Sequence, residues 1–205
     1  AGIVHGVIDT NTKHFCSGKI GLGDRLYHCW KNNGHGSMNI SDAIKESCDV
    51  FFYEISKKIG IDKIARVAED FGLGKIYDIP LLNQKKGIIP SRDWKKKKYD
   101  ESWYPGETLI SAIGQGFVLT NPLQLAVMTS IIASNGKNIK PNIIKKNNDI
   151  EFEKLEKYQN AIKIIKDSMF KVVNERKGTA YSSRSESTPF AGKTGTSQVR
   201  RITVA

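Results

Sequence analysis

Apolar residues recur at helical spacing on both sides of one glycine, Gly60, and this constrains the fold of the 205-residue chain more than any other feature. Upstream, in a pattern that turns helical at Ser41, lie Ala43, Ile44, Val50, Phe51, Phe52, Ile55 and Ile59. Downstream, Ile61, Ile64, Ala65, Ala68 and Phe71 share one face of a second helix, with Gly72 just past its end. Asn121-Pro122 opens a strongly apolar helix through Ala133, because Asn is a favoured cap and Pro at the first helical position forfeits no bond. Another amphipathic helix runs from about Asn160 to Val173, with Ile162, Ile165, Met169, Val172 and Val173 inward and Phe170 also toward the core. Residues 1–40 read as loops with short strands, 73–108 as a long irregular loop, and 188–204 as strand and turn. The fold class is α/β in the α+β sense, with helices dominating the middle.

A content of 39% hydrophobic and 26% charged residues suits one globular domain. No run approaches the roughly 18 to 20 apolar residues of a membrane span. The net charge of +11 is spread over many lysines. Only Lys95-Lys96-Lys97-Lys98 is a compact run, and it reads as solvated loop, so nucleic acid is not an expected partner.

Two short motifs carry chemistry. In Gly192-Lys193-Thr194-Gly195-Thr196, Lys193 offers positive charge to a substrate carboxylate and Thr194 a hydroxyl. Gly195 removes a side chain that would block backbone approach on an edge strand. In Ser47-Cys48-Asp49, at the end of a short helical stretch, a hydroxyl and a polar partner stand close enough to relay or orient a proton. Each is weak alone, since glycine turns and helix caps use the same residues.

Together and in this order they resemble the penicillin-binding protein and serine β-lactamase superfamily, and specifically its class B transpeptidases. Ile113-Gly114-Gln115-Gly116 followed by Thr120-Asn121-Pro122 looks like the family's Gly-Gln-Gly turn and the helix after it, and Gly178-Thr179-Ala180 also fits. Trp103-Tyr104-Pro105-Gly106-Glu107-Thr108, with Trp30-Lys31 and Gly34-His35-Gly36, looks most like the penicillin-binding proteins 2 of the elongation machinery. The resemblance implies an antiparallel sheet flanked by helices, incomplete in this chain. It also implies D,D-transpeptidation of D-Ala-D-Ala stem peptides, with β-lactams as mimics. Lys193 and Thr194 would hold the substrate carboxylate, Ser47 would help pass protons with Asp49 as its partner, and Thr196 N–H would give half of an oxyanion hole. The parent protein is expected at the periplasmic face of the inner membrane, anchored by a helix outside this chain, beside a membrane-embedded glycan polymerase.

The family nucleophile is the serine of a Ser-x-x-Lys motif ahead of the Ser-x-Asp position. No such motif precedes Ser47, and those at Ser134–Lys137 and Ser168–Lys171 stand in the wrong order. The nucleophile is therefore expected upstream of Ala1, and 1–205 is read as one partial transpeptidase domain, inactive alone. A β-lactamase or β-lactam sensor, which would need a deacylating base, is an alternative. A non-catalytic wall- or partner-binding module stabilised by zinc is another.

The three cysteines, Cys16, Cys29 and Cys48, cannot all pair within one chain. One disulfide with a free thiol, free buried thiols, or a structural Zn²⁺ site completed by His35 are the alternatives. Gly34 and Gly36 favour His35 by letting the backbone turn its ring inward, with His28 the runner-up. Some penicillin-binding proteins 2 carry a metal near here, which favours zinc stapling the loops of 1–40 to a mainly helical 41–187, ahead of a sheet region starting at 188. Trp30, Trp94 and Trp103 read as loop anchors, His5 and His14 as exposed loop residues, and Asp24 as a turn residue.

Overall fold

The computed structural model describes residues 1–81, 83–144 and 152–197. Four short strands come first: β1 (His14–Cys16), β2 (Lys19–Leu22), β3 (Arg25–His28) and β4 (Gly36–Met38). They form two separate antiparallel pairs rather than one sheet, β1 with β4 (Cys16 opposite Gly36) and β2 with β3 (Leu22 opposite Arg25). Residues 188–197 join no ladder, so the edge strand expected at Lys193–Gly195 is not formed among the described residues; positions 198–204 of that reading lie outside them.

The helical pattern around Gly60 resolves into three helices, α1 (Ile40–Lys45), α2 (Asp49–Ile59) and α3 (Ile61–Asp70). The Asn39 side chain caps α1 by accepting the Asp42 N–H at 2.9 Å. Between α1 and α2, Ser47 takes a left-handed φ of 54°. Periodicity passes over this break because Ala43, Ile44, Val50 and Phe51 are buried on both sides of it.

Two further helices occupy the stretch expected to be irregular: α4 (Arg92–Tyr99) and α5 (Pro105–Ala112). Helix α4, Arg-Asp-Trp-Lys-Lys-Lys-Lys-Tyr, has no apolar stripe, which is why its sequence reads as loop. Tertiary contacts hold it. Lys95 is only 2% exposed, contrary to a solvated run, and its ammonium meets the Glu107 carboxylate at 2.5 Å and lies over the Tyr104 ring. Glu107 also accepts the Tyr104 N–H at 2.8 Å, so one carboxylate starts α5 and anchors α4.

Helices α6 (Pro122–Ala133) and α7 (Gln159–Asn174) match the expected bounds within a residue or so, and the Asn121 side chain caps α6 as anticipated. Phe170 is a correction: it is 46% exposed, while Val172 and Val173 on the same helix are fully buried. The main core forms where α2 brings Val50, Phe51 and Ile55 against Leu109 of α5 and Cys16 of β1. Phe71, Val127, Ile131, Tyr158 and Ile162 make a second core, where the Tyr158 hydroxyl donates to Asp70 at 2.6 Å. His14 also departs from expectation, since it sits on β1 with its ring edge-on to Phe51 and its Nε2 buried without a partner.

Candidate active site

The site is built where the end of α1 meets the last turns of α7. α7 secures the segment that follows it: Gly192 N–H donates to the Met169 carbonyl, and the Asn174 amide to the Phe190 carbonyl. Lys193 then emerges against the α1–α2 junction. Its Nζ donates to Ser47 Oγ at 2.7 Å and to Thr194 Oγ1 at 3.2 Å. The left-handed turn at Ser47 is what presents that hydroxyl outward while the next residue, Cys48, turns fully inside.

Lys193 is exposed as a residue, but partial desolvation of its ammonium holds it below the ordinary lysine range, opposed by the Asp49 charge. The Asp49 carboxyl is pushed up by its own burial, against the Trp30 N–H that donates to it at 3.0 Å. Asp49 has no hydrogen bond to Ser47 or Lys193 and faces Trp30 and Cys29 instead. Gly195 and Thr196 stand exposed on the open side, and a Cβ at Gly195 would meet nothing within 4 Å.

Thr179 was not among the site residues expected from sequence. Its Oγ1 lies 3.2 Å from Ser47 Oγ and 2.9 Å from Thr194 Oγ1. The available signal was the Gly178-Thr179-Ala180 triplet. A Cβ at Gly178 would collide with the Val172 and Lys171 carbonyl oxygens, so only glycine lets the chain pass this close to α7. The two Ser-x-x-Lys coincidences stay apart from this cluster: Ser134 caps the end of α6, and Ser168 is buried in α7, donating to the Ile164 carbonyl.

Behind Ser47 lies a second cluster. The ligand atoms of Cys16, Cys29, His35 and Cys48 all lie within 4.8 Å of one another, and none of the cysteines is in a disulfide. His35 Nδ1 is 3.6 Å from Cys16 Sγ and 3.5 Å from Cys29 Sγ. Tetrahedral zinc with bonds of about 2.3 Å to sulfur and about 2.05 Å to nitrogen spaces such atoms about 3.6 Å apart, so these residues fit the ion. The neighbouring Cys48 sulfur holds the Cys29 thiol low against the effect of burial, while Cys48 itself is pushed up. Three sulfurs and an imidazole nitrogen converging this closely are a cation-seeking donor set. Gly34 takes a φ of 75°, and a Cβ there would collide with the Cys16 carbonyl, which explains the glycine beside His35. His28 is exposed on β3 and outside the cluster, and Asp24 occupies the β2–β3 turn.

The tryptophans anchor loops: Trp30 Nε1 donates to the Glu46 carbonyl, Trp103 Nε1 to Thr108 Oγ1, and the Trp94 ring packs at a tilt against Phe117. No helix among the described residues is long and apolar enough to cross a membrane.

The family model described as penicillin binding protein transpeptidase domain matches residues 1–201. The chain is 34% identical to the peptidoglycan D,D-transpeptidase MrdA of Haemophilus influenzae, covering 94% of this chain and 32% of that protein. Helicobacter pylori PBP2, alone and in a complex with MreC, superposes with a TM-score of 0.86 at 35% identity, over 94% of this chain and 37% and 36% of those chains. A structure described as the structural coordination of polymerization and crosslinking by a peptidoglycan synthase complex matches at a TM-score of 0.82 and 32% identity, over 95% of this chain and 34% of that one. The chain spans about a third of the length of the curated relatives it matches.

Proposed function

The chain belongs to the penicillin-binding protein transpeptidase family and is most similar to the PBP2 type, and from that premise we propose that it forms the substrate-binding and proton-relay wall of a peptidoglycan D,D-transpeptidase. The observation that carries the reading is the 2.7 Å bond from Lys193 Nζ to Ser47 Oγ, between motifs 146 residues apart. In the proposed reaction, a serine in the segment ahead of Ala1 attacks the penultimate D-Ala carbonyl of a stem peptide and becomes acylated as terminal D-Ala leaves. An amine of a second stem then takes the acyl group and frees the serine. Lys193 and Thr194 hold the substrate carboxylate. Ser47 hands a proton to the leaving nitrogen, and Thr196 N–H donates to the developing oxyanion. β-Lactams occupy the same place as mimics of D-Ala-D-Ala.

Cys16, Cys29, His35 and Cys48 would hold a structural Zn²⁺, which supplies cross-linking rather than chemistry because four protein ligands leave no open position. Cys48 then braces Ser47 from behind, a supporting role of the kind that orients reacting groups. The parent protein would act at the periplasmic face of the inner membrane, with MreC and a glycan polymerase as partners. Support comes from the relatives solved with MreC and as a peptidoglycan synthase complex.

The test is covalent labelling by a fluorescent penicillin of the gene product in which this chain follows its upstream segment. A denaturant-stable label, lost or strongly slowed in Lys193→Ala, supports the reading. An unlabelled wild type sinks it.

A further inference from the structure

Three hydroxyls, those of Ser47, Thr179 and Thr194, form a closed triangle with sides of 3.2, 2.9 and 3.4 Å. Lys193 Nζ can only donate as an ammonium, and it donates to two of the corners, Ser47 at 2.7 Å and Thr194 at 3.2 Å. Those two oxygens therefore face Lys193 with lone pairs, and their own protons must point elsewhere. Thr179 Oγ1 is the nearer of the hydroxyl acceptors open to the Ser47 proton, since Thr194 Oγ1 lies at 3.4 Å. It is also the corner that receives nothing from Lys193.

Thr179 is fixed for this purpose by its backbone. Its N–H donates to the carbonyl of Lys45, the last residue of α1, and the next N–H, of Ala180, donates to Val172 on α7. The hydroxyl is thereby held from the same turn that carries Ser47.

Resting on the transpeptidase reading above, we propose that Thr179 is a positioning residue that sets the direction of the Ser47 and Thr194 hydroxyls, keeping the Ser47 lone pair on Lys193 and its proton on the substrate-facing triangle. It acts through Ser47 and Thr194 rather than on substrate. The side-chain oxygen, and not the methyl group, performs this role.

The experiment compares acylation rates by a fluorescent penicillin for wild type, Thr179→Val and Thr179→Ser, using the gene product with its upstream segment, together with thermal midpoints and pH–rate profiles. Valine keeps the shape and removes the hydroxyl, so acylation slows by about 5- to 10-fold, the equivalent of one hydrogen bond. Its thermal midpoint stays close to wild type, its pH–rate profile shifts, and serine restores the rate. Equal rates for wild type and Thr179→Val, or serine as slow as valine, overturn the role of the hydroxyl alone. If Thr179→Val unfolds, the serine variant decides: a wild-type rate upholds the proposal and a slow, folded serine variant rejects it. An unlabelled wild type overturns the underlying acyl-transfer reading, and the Thr179 role falls with it.

Discussion

One peptide bond joins Ser47, whose hydroxyl accepts from Lys193, to Cys48, whose sulfur lies within 4.8 Å of the ligand atoms of Cys16, Cys29 and His35. Ser47 takes a φ of 54°, which a non-glycine residue holds only when its surroundings impose it. The outward hydroxyl and the inward sulfur are thus two ends of the same constrained turn.

If that turn is braced by zinc, elemental analysis of the purified chain returns about one zinc per chain, and the three thiols react only after chelation. Chelation also lowers the thermal midpoint. A metal-free protein with one reactive thiol would instead mean a disulfide, leaving the transpeptidase assignment standing.

Substitution at Ser47 separates hydroxyl from backbone. Both Ser47→Ala and Ser47→Gly lose the acceptor of Lys193, and β-lactam acylation falls by about 100-fold in each. Glycine accepts the left-handed φ more readily, so Ser47→Gly is more stable than Ser47→Ala by about 1 kcal/mol in chemical denaturation. Equal stabilities would show that the turn carries no strain.

Partial desolvation of its ammonium lowers the Lys193 pKa from 10.5, although the residue itself is exposed, so the cation disappears at a lower pH than that of a fully solvated lysine. Acylation that depends on the β-lactam carboxylate therefore declines on its alkaline side below pH 10.5. Stability runs the other way. The protonated form is the disfavoured one in the fold, so this group's cost is present below its folded pKa and relieved as pH rises toward 10.5. Lys193→Arg, which stays charged, should lack the alkaline decline, and a profile identical to wild type would count against Lys193 as the titrating group.

Gly178→Ala and Gly195→Ala make a matched pair. The first drives a methyl into the Val172 and Lys171 carbonyls and costs about 1–3 kcal/mol of stability, displacing Thr179. The second meets nothing, so its thermal midpoint is unchanged while labelling slows where substrate backbone must pass. Reversal of the two stabilities would contradict the packing around α7.

Side-chain types and their local spacing already carried the family motifs, the three free-cysteine donors and the faces of α3, α6 and α7, because helical periodicity is a property of neighbours three and four residues apart. Helices α4 and α5 were illegible for the opposite reason. Lys95 earns its buried place through Glu107, 12 residues away, and no local pattern records that pairing. The break at Ser47 was hidden because apolar residues continue on both sides of it.

Asp49 turned toward Trp30 and Thr179 beside Ser47 were decided only by tertiary structure, whereas His35 as the fourth donor was already favoured by its flanking glycines. Ser47 and Thr179 lie 132 residues apart, and their hydroxyls meet only because α7 packs on α1 and pins both ends of the intervening chain. A sequence by itself determines which groups are available; burial and the geometry of packed helices determine which of them face one another.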